Sequence, residues 1–168
     1  MKHDTIVKRF ELFLRTRSLK LTSQRRRIFD RSFATHEHFS AEQLYRWLAA
    51  EPGARVSRAT VYRTLALLVE GHFVQALDTG RGELLYEHVL GHPHHDHMVC
   101  LECGRIEEFH DDRIEELQAE ACRKKGFQLV GHEHRLKGFC RACSRKRARK
   151  VDAALGSHER ADATDVRT

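Results

Sequence analysis

SRATVYRTLALLVEGHFVQALDTGRGELLY, residues 57–86, is a helical pattern that passes directly into two strand patterns. Ser57 has the hydroxyl group of a helix N-cap, and Gly71 favours the end of that helix. The apolar runs 73–77 and 83–86 then flank a glycine-containing loop of the kind that closes a β-hairpin. The stretch therefore predicts one helix followed at once by a hairpin.

Helical patterns also fill the sequence before this stretch. An apolar stripe that begins at Ile6 repeats at helical spacing, and a second helix starts after Thr22 or Ser23. A third helix opens at Ser40 and Gln43, which have the spacing of a capping box. The helix that follows Ser57 is thus the fourth.

Four helices and a hairpin, in this order, predict a winged helix-turn-helix domain over residues 1–87. Arg81 then lies at the tip of the wing. The alternative is a generic helical domain in which that arginine is simply solvated.

The fourth helix has two different faces. Val61 and Leu65 lie on the face that we expect to point inward, at about 100° of rotation per residue. Ala59 and Arg63 project from the opposite side, and Tyr62 lies on the flank. Because an arginine can read guanine and an apolar group can touch a thymine methyl, this face suits a DNA major groove.

The charge of the chain agrees with a polyanionic partner without proving one. The sequence has 30 Lys and Arg against 24 Asp and Glu, a net charge of +6. A solvated basic face would give the same excess.

Composition changes near His88, where histidines begin to cluster. Two strand patterns, a helix that ends at Gly126 and a last strand over 127–139 follow. We expect a small α/β domain over 88–143, which makes the fold class of the chain α+β. Residues 144–168 hold a basic run but few apolar residues, which predicts a disordered basic tail.

Four of the five cysteines form two Cys-x2-Cys pairs, Cys100 with Cys103 and Cys140 with Cys143. Each pair can bind one side of a tetrahedral zinc ion, which would staple the ends of the second domain together. Buried cysteines that happen to be paired are the alternative. Cys122 remains and is expected to pack as a small apolar side chain.

Histidines and carboxylates supply a second class of candidate ligand. Alternate residues of a strand share a face, so His94 can act with Asp96, whereas His97 points the other way. His132 and His134 likewise share a face. Spacing alone assigns no ligand here, because an isolated histidine is usually solvated or hydrogen-bonded.

The run HPHHDH, residues 92–97, satisfies a metal-binding pattern of metallo-β-lactamase-like hydrolases. Those enzymes need a large layered fold around the pattern, but here it runs directly into a cysteine pair in a short domain. No residue stands out as an activated nucleophile. We therefore expect neither an enzyme nor a small-molecule substrate.

Membrane and secretory signals are missing from the sequence. No apolar stretch approaches the roughly 20 residues that span a bilayer, and the first residues are charged rather than signal-like. We expect a cytoplasmic protein without a membrane partner, in which reduced cysteines bind metal.

Several motifs together resemble the ferric uptake regulator (Fur) family of metal-dependent repressors. The similar region runs from about Leu19 to Cys143. It includes LTSQR (21–25), HFSAE (38–42), ATVYRTL (59–65), YE (86–87), HHDHMVCLECG (94–104), EF (108–109) and the last cysteine pair.

The resemblance implies a homodimer that binds double-stranded DNA. The N-terminal winged helix would contact an AT-rich inverted repeat, and the small α/β domain would dimerise. Tyr62 and Arg63 match the base-contacting positions of the family. The candidate DNA-binding residues are Ser57, Arg58, Ala59, Thr60, Tyr62, Arg63 and Arg81.

The resemblance also implies a structural, a regulatory and an auxiliary metal site. The structural zinc ligands are Cys100, Cys103, Cys140 and Cys143. The regulatory ligands are His38, Glu87, His97 and Glu108, and the auxiliary ligands are His94, Asp96, Glu115 and His132. An ion bound by residues of both domains would set their relative angle and so couple metal to DNA affinity.

The regulatory set offers only nitrogen and oxygen, and the absence of a thiolate favours iron(II). Manganese(II) or zinc(II) are alternative sensed metals, and a metal-buffering protein is an alternative function. The chain has one more residue between the second and third regulatory ligands than some members, so His88 or His92 is an alternative ligand. No role is assigned to His95 or His134.

Overall fold

The computed structural model describes residues 3–53, 55–91 and 94–150. These residues form two compact units, the first ending at His94 and the second beginning at His95. Each unit combines helices with one three-stranded sheet. The α+β fold class expected from the sequence is confirmed.

The first unit has the predicted order of helices followed by a hairpin. Its elements are α1 (His3–Thr16), α2 (Ser23–Phe33), β1 (Phe39–Ser40), α3 (Ala41–Ala50), α4 (Arg58–Glu70), β2 (Val74–Asp78) and β3 (Leu84–His88).

Side-chain caps set the starts of α2, α3 and α4. Thr22 accepts a hydrogen bond from the backbone N–H of Arg25. Ser40 and Gln43 form the predicted capping box. Ser57 accepts from the backbone N–H of Thr60. Because each cap satisfies a backbone donor that the helix leaves free, these helices begin where the sequence predicts.

Apolar side chains from all four helices meet in one core. Phe10, Phe29, Leu44 and Leu65 are fully buried. Phe10 stacks on Phe29 with ring centroids 5.3 Å apart, and Phe73 meets Phe10 edge-on at 5.2 Å. The core holds the apolar side of α4 inward, which leaves its polar side facing outward.

The sheet of the first unit has the order β1-β3-β2, with antiparallel pairing throughout. Tyr86 of β3 pairs with Phe39 on one side and with Ala76 on the other. His88 still pairs with Val74, so β3 continues the first unit past the boundary that we placed after residue 87.

The second unit is a small α/β arrangement. Its elements are β4 (Asp96–Cys100), β5 (Ile106–Phe109), α5 (Asp112–Lys124) and β6 (Arg135–Gly138), and its sheet has the order β5-β4-β6. β4 and β5 are antiparallel, whereas β4 and β6 are parallel. A parallel pair needs a crossover, and α5 lies within that connection.

The last strand is shorter than the sequence predicts. We expected a strand over 127–139, but residues 127–134 are irregular and only Arg135–Gly138 is a strand. β6 pairs with His97–Cys100 of β4, and a strand can extend only where its neighbour offers backbone partners.

Residues 141–150 form a further helix, α6, where we expected the disordered tail to begin at residue 144. The Arg147 guanidinium lies 4.1 Å above the ring of Phe139, and its Nη1 atom lies 3.6 Å from Oε2 of Glu102. These contacts anchor α6 to the unit. The rest of the predicted tail, 151–168, lies outside the described residues.

Apolar side chains remain uncovered on the second unit. Leu117, Phe127 and Val130 are 65%, 68% and 92% exposed, and α5 has no buried residue. Among the described residues, no helix is both long enough and apolar enough to cross a membrane.

Candidate metal centres and nucleic-acid interface

The four paired cysteines converge at one end of the second sheet. Cys100 ends β4, Cys103 lies in the following turn, Cys140 follows β6 and Cys143 lies in the first turn of α6. Their Sγ atoms all lie within 4.8 Å of one another. Cys100 and Cys143 are buried.

Backbone amides and burial act on the cysteines in opposite directions. The backbone N–H groups of Cys140 and Cys103 donate to Cys100 and lower the pKa of its thiol. Burial raises the pKa of Cys143 above its usual value. A set of four sulfur atoms, of which one already favours the thiolate, fits a soft tetrahedral ion such as zinc.

His38 and Glu87, the regulatory candidates of the first unit, are neighbours in the fold. Phe39 pairs with Tyr86, so the residue before β1 lies beside the residue that follows Tyr86. Nε2 of His38 lies 3.2 Å from Oε2 of Glu87, and both side chains are largely buried. This half of the predicted set is therefore brought together.

The alternative ligand His88 lies elsewhere. Its ring centroid is 4.9 Å from that of Phe33 and 5.4 Å from that of His36. Adjacent strand residues point to opposite faces, so His88 faces away from the carboxylate of Glu87. The other alternative, His92, lies outside the described residues.

His97 and Glu108, the regulatory candidates of the second unit, face each other across β4 and β5. They are directly paired in the antiparallel register, and His97 is buried. The sequence interpretation missed His95, whose Nε2 lies 3.9 Å from Oε1 of Glu108 and whose ring lies 5.1 Å from that of His97. Strand alternation was the signal that could have found it, because residues 95 and 97 share a face.

Asp96, Glu115 and His132, three of the auxiliary candidates, meet within the second unit. Nε2 of His132 lies 3.4 Å from Oδ1 of Asp96 and 3.5 Å from Oε1 of Glu115. His94, the fourth candidate, is exposed and precedes β4 as the last residue of the first unit. Two carboxylates and an imidazole fit a divalent ion that prefers oxygen and nitrogen.

Asp96 is the most constrained residue of this cluster. Its Oδ2 atom lies 3.2 Å from Nδ1 of His134, while Oδ1 faces His132. Burial raises the pKa of Asp96, but the hydrogen bonds and charges of the two histidines outweigh it, so the pKa is lowered overall. His134, which had no predicted role, thus holds one oxygen of a candidate ligand.

The outward face of α4 carries the predicted DNA-contacting side chains. Val61 and Leu65 are fully buried, whereas Tyr62 is 52% exposed and Ala59 and Arg63 are also exposed. The predicted division of the helix into two faces is confirmed.

Three other DNA-binding candidates have local roles at the start of α4. The hydroxyl groups of Ser57 and Thr60 lie 2.8 Å apart within the helix cap. Arg58 donates to Glu42 at 2.9 Å and lies over the ring of Tyr45. These contacts fix the end of the helix that would approach a nucleic acid.

Arg81 lies at the exposed tip of the β2–β3 hairpin. Gly80 and Gly82 on either side have φ angles of 74° and 81°, which glycine adopts without strain. The tight turn therefore presents the arginine at the end of the wing, as predicted.

A sequence model described as the ferric uptake regulator family matches residues 16–137, which is more than half of the chain. The chain belongs to the ferric uptake regulator family. The matched region includes α4, the β2–β3 hairpin, the first cysteine pair and all of the histidine candidates.

Relatives of the ferric uptake regulator family align over nearly their whole length. The ferric uptake regulation protein of Campylobacter jejuni subsp. jejuni is 39% identical over 150 residues, which cover 89% of this chain and 95% of that protein. The structure of the Helicobacter pylori ferric uptake regulator Fur, described as revealing three functional metal binding sites, matches with a TM-score of 0.71 and 28% identity. That match covers 86% of this chain and 95% of the other.

The ferric uptake regulator of Pseudomonas aeruginosa, solved with manganese, has a similar fold. It matches with a TM-score of 0.67 and 35% identity, covering 76% of this chain and 95% of that chain.

Membership of the ferric uptake regulator family settles the class of function. The protein is a metal-responsive, DNA-binding transcription regulator and not an enzyme. The hydrolase-like pattern at 92–97 is thus a coincidence of spacing, as we expected. The winged-helix and α/β architecture implied by the resemblance is also confirmed.

Proposed function

We propose that this Fur-family regulator is an iron(II)-responsive repressor that binds AT-rich inverted repeats of double-stranded DNA as a homodimer. The observation that carries this proposal is the division of the regulatory residues into two close pairs. His38 with Glu87 belongs to the first unit, and His97 with Glu108 belongs to the second. An ion bound by both pairs would link metal occupancy to the arrangement of the DNA-binding units.

Iron(II) is proposed as the sensed ion because of the donor atoms. The four residues, and His95 beside Glu108, offer imidazole nitrogen and carboxylate oxygen and no sulfur. A bound ion would supply positive charge that holds these side chains together. The manganese-containing Pseudomonas relative makes manganese(II) the second candidate, and zinc(II) can occupy the same donors.

The remaining clusters are proposed to bind metal for other purposes. Cys100, Cys103, Cys140 and Cys143 would hold a structural zinc that ties α6 and β6 to β4. Asp96, Glu115 and His132, with His94, would form the auxiliary site. The Helicobacter relative is described as having three functional metal binding sites, which is the number of sites proposed for this chain.

DNA binding is assigned to α4 and the wing. The exposed face of α4 combines a guanidinium, an aromatic ring and a small side chain, which suit base edges in a major groove. The wing would contact the DNA backbone or the minor groove. The proposed contact residues are Ser57, Arg58, Ala59, Thr60, Tyr62, Arg63 and Arg81.

Dimerisation is assigned to the second unit. Leu117, Phe127 and Val130 are large apolar side chains that are more than half exposed. Apolar surface of this kind commonly marks a protein interface, and a homodimer would match an inverted repeat.

We also assign the protein to the cytoplasm, because a transcription regulator has to reach the DNA that it binds.

The test is metal analysis of the purified protein combined with DNA titrations in Fe(II), Mn(II) and Zn(II). We expect one tightly held zinc per chain and DNA binding that tightens most at low free Fe(II). Arg63→Ala should abolish the preference for the inverted repeat, because the guanidinium that would read a base is gone. A DNA affinity that none of the three ions changes would contradict the proposal.

A further inference from the structure

One helix, α6, carries a positive charge equal to the net charge of the whole chain. α6 has the sequence RACSRKRARK, which contains six Lys and Arg and no Asp or Glu. The whole chain has 30 Lys and Arg, so 24 of them lie outside α6. All 24 Asp and Glu also lie outside α6, so the charges of the rest of the chain balance. The net charge of +6 is thus equal to the charge of α6 alone.

The cations of α6 form a row. Arg141, Arg145 and Arg149 follow one another at intervals of four residues, so at 100° per residue they lie within about 80° of one another. Lys146 flanks the row, and all four side chains are exposed. With a rise of 1.5 Å per residue, the row spans roughly 12 Å.

The row is attached to a fixed part of the second unit. Cys143 is buried in the cysteine cluster, and the backbone N–H of Ser144 donates to the carbonyl of Cys140 at 2.9 Å. Arg147, on another side of α6, packs on Phe139 and faces Glu102. Arg147 thus belongs to the anchor, whereas Arg141, Arg145 and Arg149 form no salt bridge with a described residue.

We propose that α6 is a second DNA-contacting surface, which binds the phosphate backbone through Arg141, Arg145, Lys146 and Arg149. This inference rests on the proposed DNA-binding function. A row of roughly 12 Å faces about three phosphates of one strand, whose charges repeat every 3.4 Å along the axis. Guanidinium groups bind phosphate oxygens in pairs, and such contacts add affinity without reading sequence.

The experiment measures how salt changes the affinity for a short duplex of mixed sequence. Full-length protein, loaded with zinc and held in Mn(II), is titrated over a range of KCl concentrations. The test variant is Arg141→Gln/Arg145→Gln/Arg149→Gln. The control removes three exposed cations at the end of α5, in Arg123→Gln/Lys124→Gln/Lys125→Gln. Equal zinc content and equal circular dichroism show that both variants fold.

We expect the test variant to lower the slope of log affinity against log salt by about 2 to 3, because each lost phosphate contact removes roughly 0.9. The control variant should keep the wild-type slope. An unchanged slope in the test variant would overturn the inference. So would a variant that keeps the DNA slope but loses binding to phosphatidylglycerol vesicles, since α6 would then serve a membrane surface.

Failure of the proposed function would look different. It would appear as wild-type affinity that responds to none of Fe(II), Mn(II) and Zn(II) and does not prefer an inverted repeat over mixed sequence. The slope difference between wild type and the test variant would still report on α6 alone.

Discussion

The Sγ atoms of Cys103 and Cys140 lie 3.8 Å apart, although the two residues are 37 positions apart in the chain. Cys103→Ser should therefore release the zinc, unfold the second unit and abolish the dimer, because structural zinc contributes folding free energy directly. Metal content, circular dichroism and size-exclusion chromatography measure these losses.

Cys122→Ser is the matched control for Cys103→Ser. Cys122 lies in α5, outside the cysteine cluster, and is partly exposed. The control should keep its zinc and its dimer. If both variants behaved alike, the cluster would not be a structural site.

The aromatic core of the first unit predicts that Phe29→Ala strongly destabilises the fold. Phe29 is fully buried and stacks on Phe10 and on Phe33, at 5.3 Å and 4.4 Å. Its removal should lower the free energy of unfolding by about 3–5 kcal/mol, because the cavity cannot fully collapse. Leu12→Ala, at a position 60% exposed, should change it by less than about 0.5 kcal/mol. Urea unfolding followed by circular dichroism compares the two, and equal losses would contradict the packing described.

The contact between His134 and Asp96 predicts that His134 orients this ligand of the auxiliary site. His134→Leu removes the contact with Asp96 and should weaken binding at that site about 10- to 100-fold, the range for partners that orient a ligand. His134→Asn places an amide nitrogen near the position of Nδ1 and should restore most of the affinity. Mn(II) titration in a His38→Ala background, which impairs the regulatory site, measures the difference.

The asparagine variant separates two roles of His134. A residue that only orients Asp96 is replaced by asparagine, whereas a direct metal ligand is not. A His134→Asn protein as weak as His134→Leu would show that His134 binds the ion itself.

Asp111 predicts a pH dependence of stability at the start of α5. Its hydrogen bonds to the side chain and backbone of Arg113 lower the pKa of Asp111 from 3.8 to about 2. A lowered pKa stabilises the folded state above about pH 4, and this contribution is lost as the pH falls through about 2. Wild type should thus be more stable than Asp111→Asn near neutral pH, with the difference disappearing in acid.

Urea midpoints of wild type and Asp111→Asn at matched pH values test this dependence. The proposed zinc would be lost from both proteins in acid, so only the difference between them is informative. A difference that stayed constant from neutral pH to pH 3 would contradict the charge effect.

Local signals explain why most of the first unit was predictable. The caps at Thr22, Ser40 and Ser57 act on backbone groups within the same turn, and the two faces of α4 follow from helical spacing alone. The pairing of the cysteines likewise follows from their spacing in sequence.

Contacts between distant residues explain what the sequence did not predict. α6 is stabilised by Phe139 and Glu102, which a count of apolar residues in the tail cannot reveal. The length of β6 depends on the partners that β4 offers, and the role of His134 depends on Asp96, which is 38 positions away. His95 was given no role for a different reason, since the alternation rule was applied to His94, Asp96 and His97 but was not extended to the pairing of His95 with His97.

The most direct test of metal-controlled DNA binding compares wild type with His97→Ala in an Fe(II) titration of DNA affinity. Both proteins should be dimers with equal zinc content, because His97 lies outside the cysteine cluster. We expect wild-type affinity for an inverted repeat to rise at least tenfold with Fe(II), and the affinity of His97→Ala to stay at the metal-free level. An equal Fe(II) response in both proteins would contradict the account.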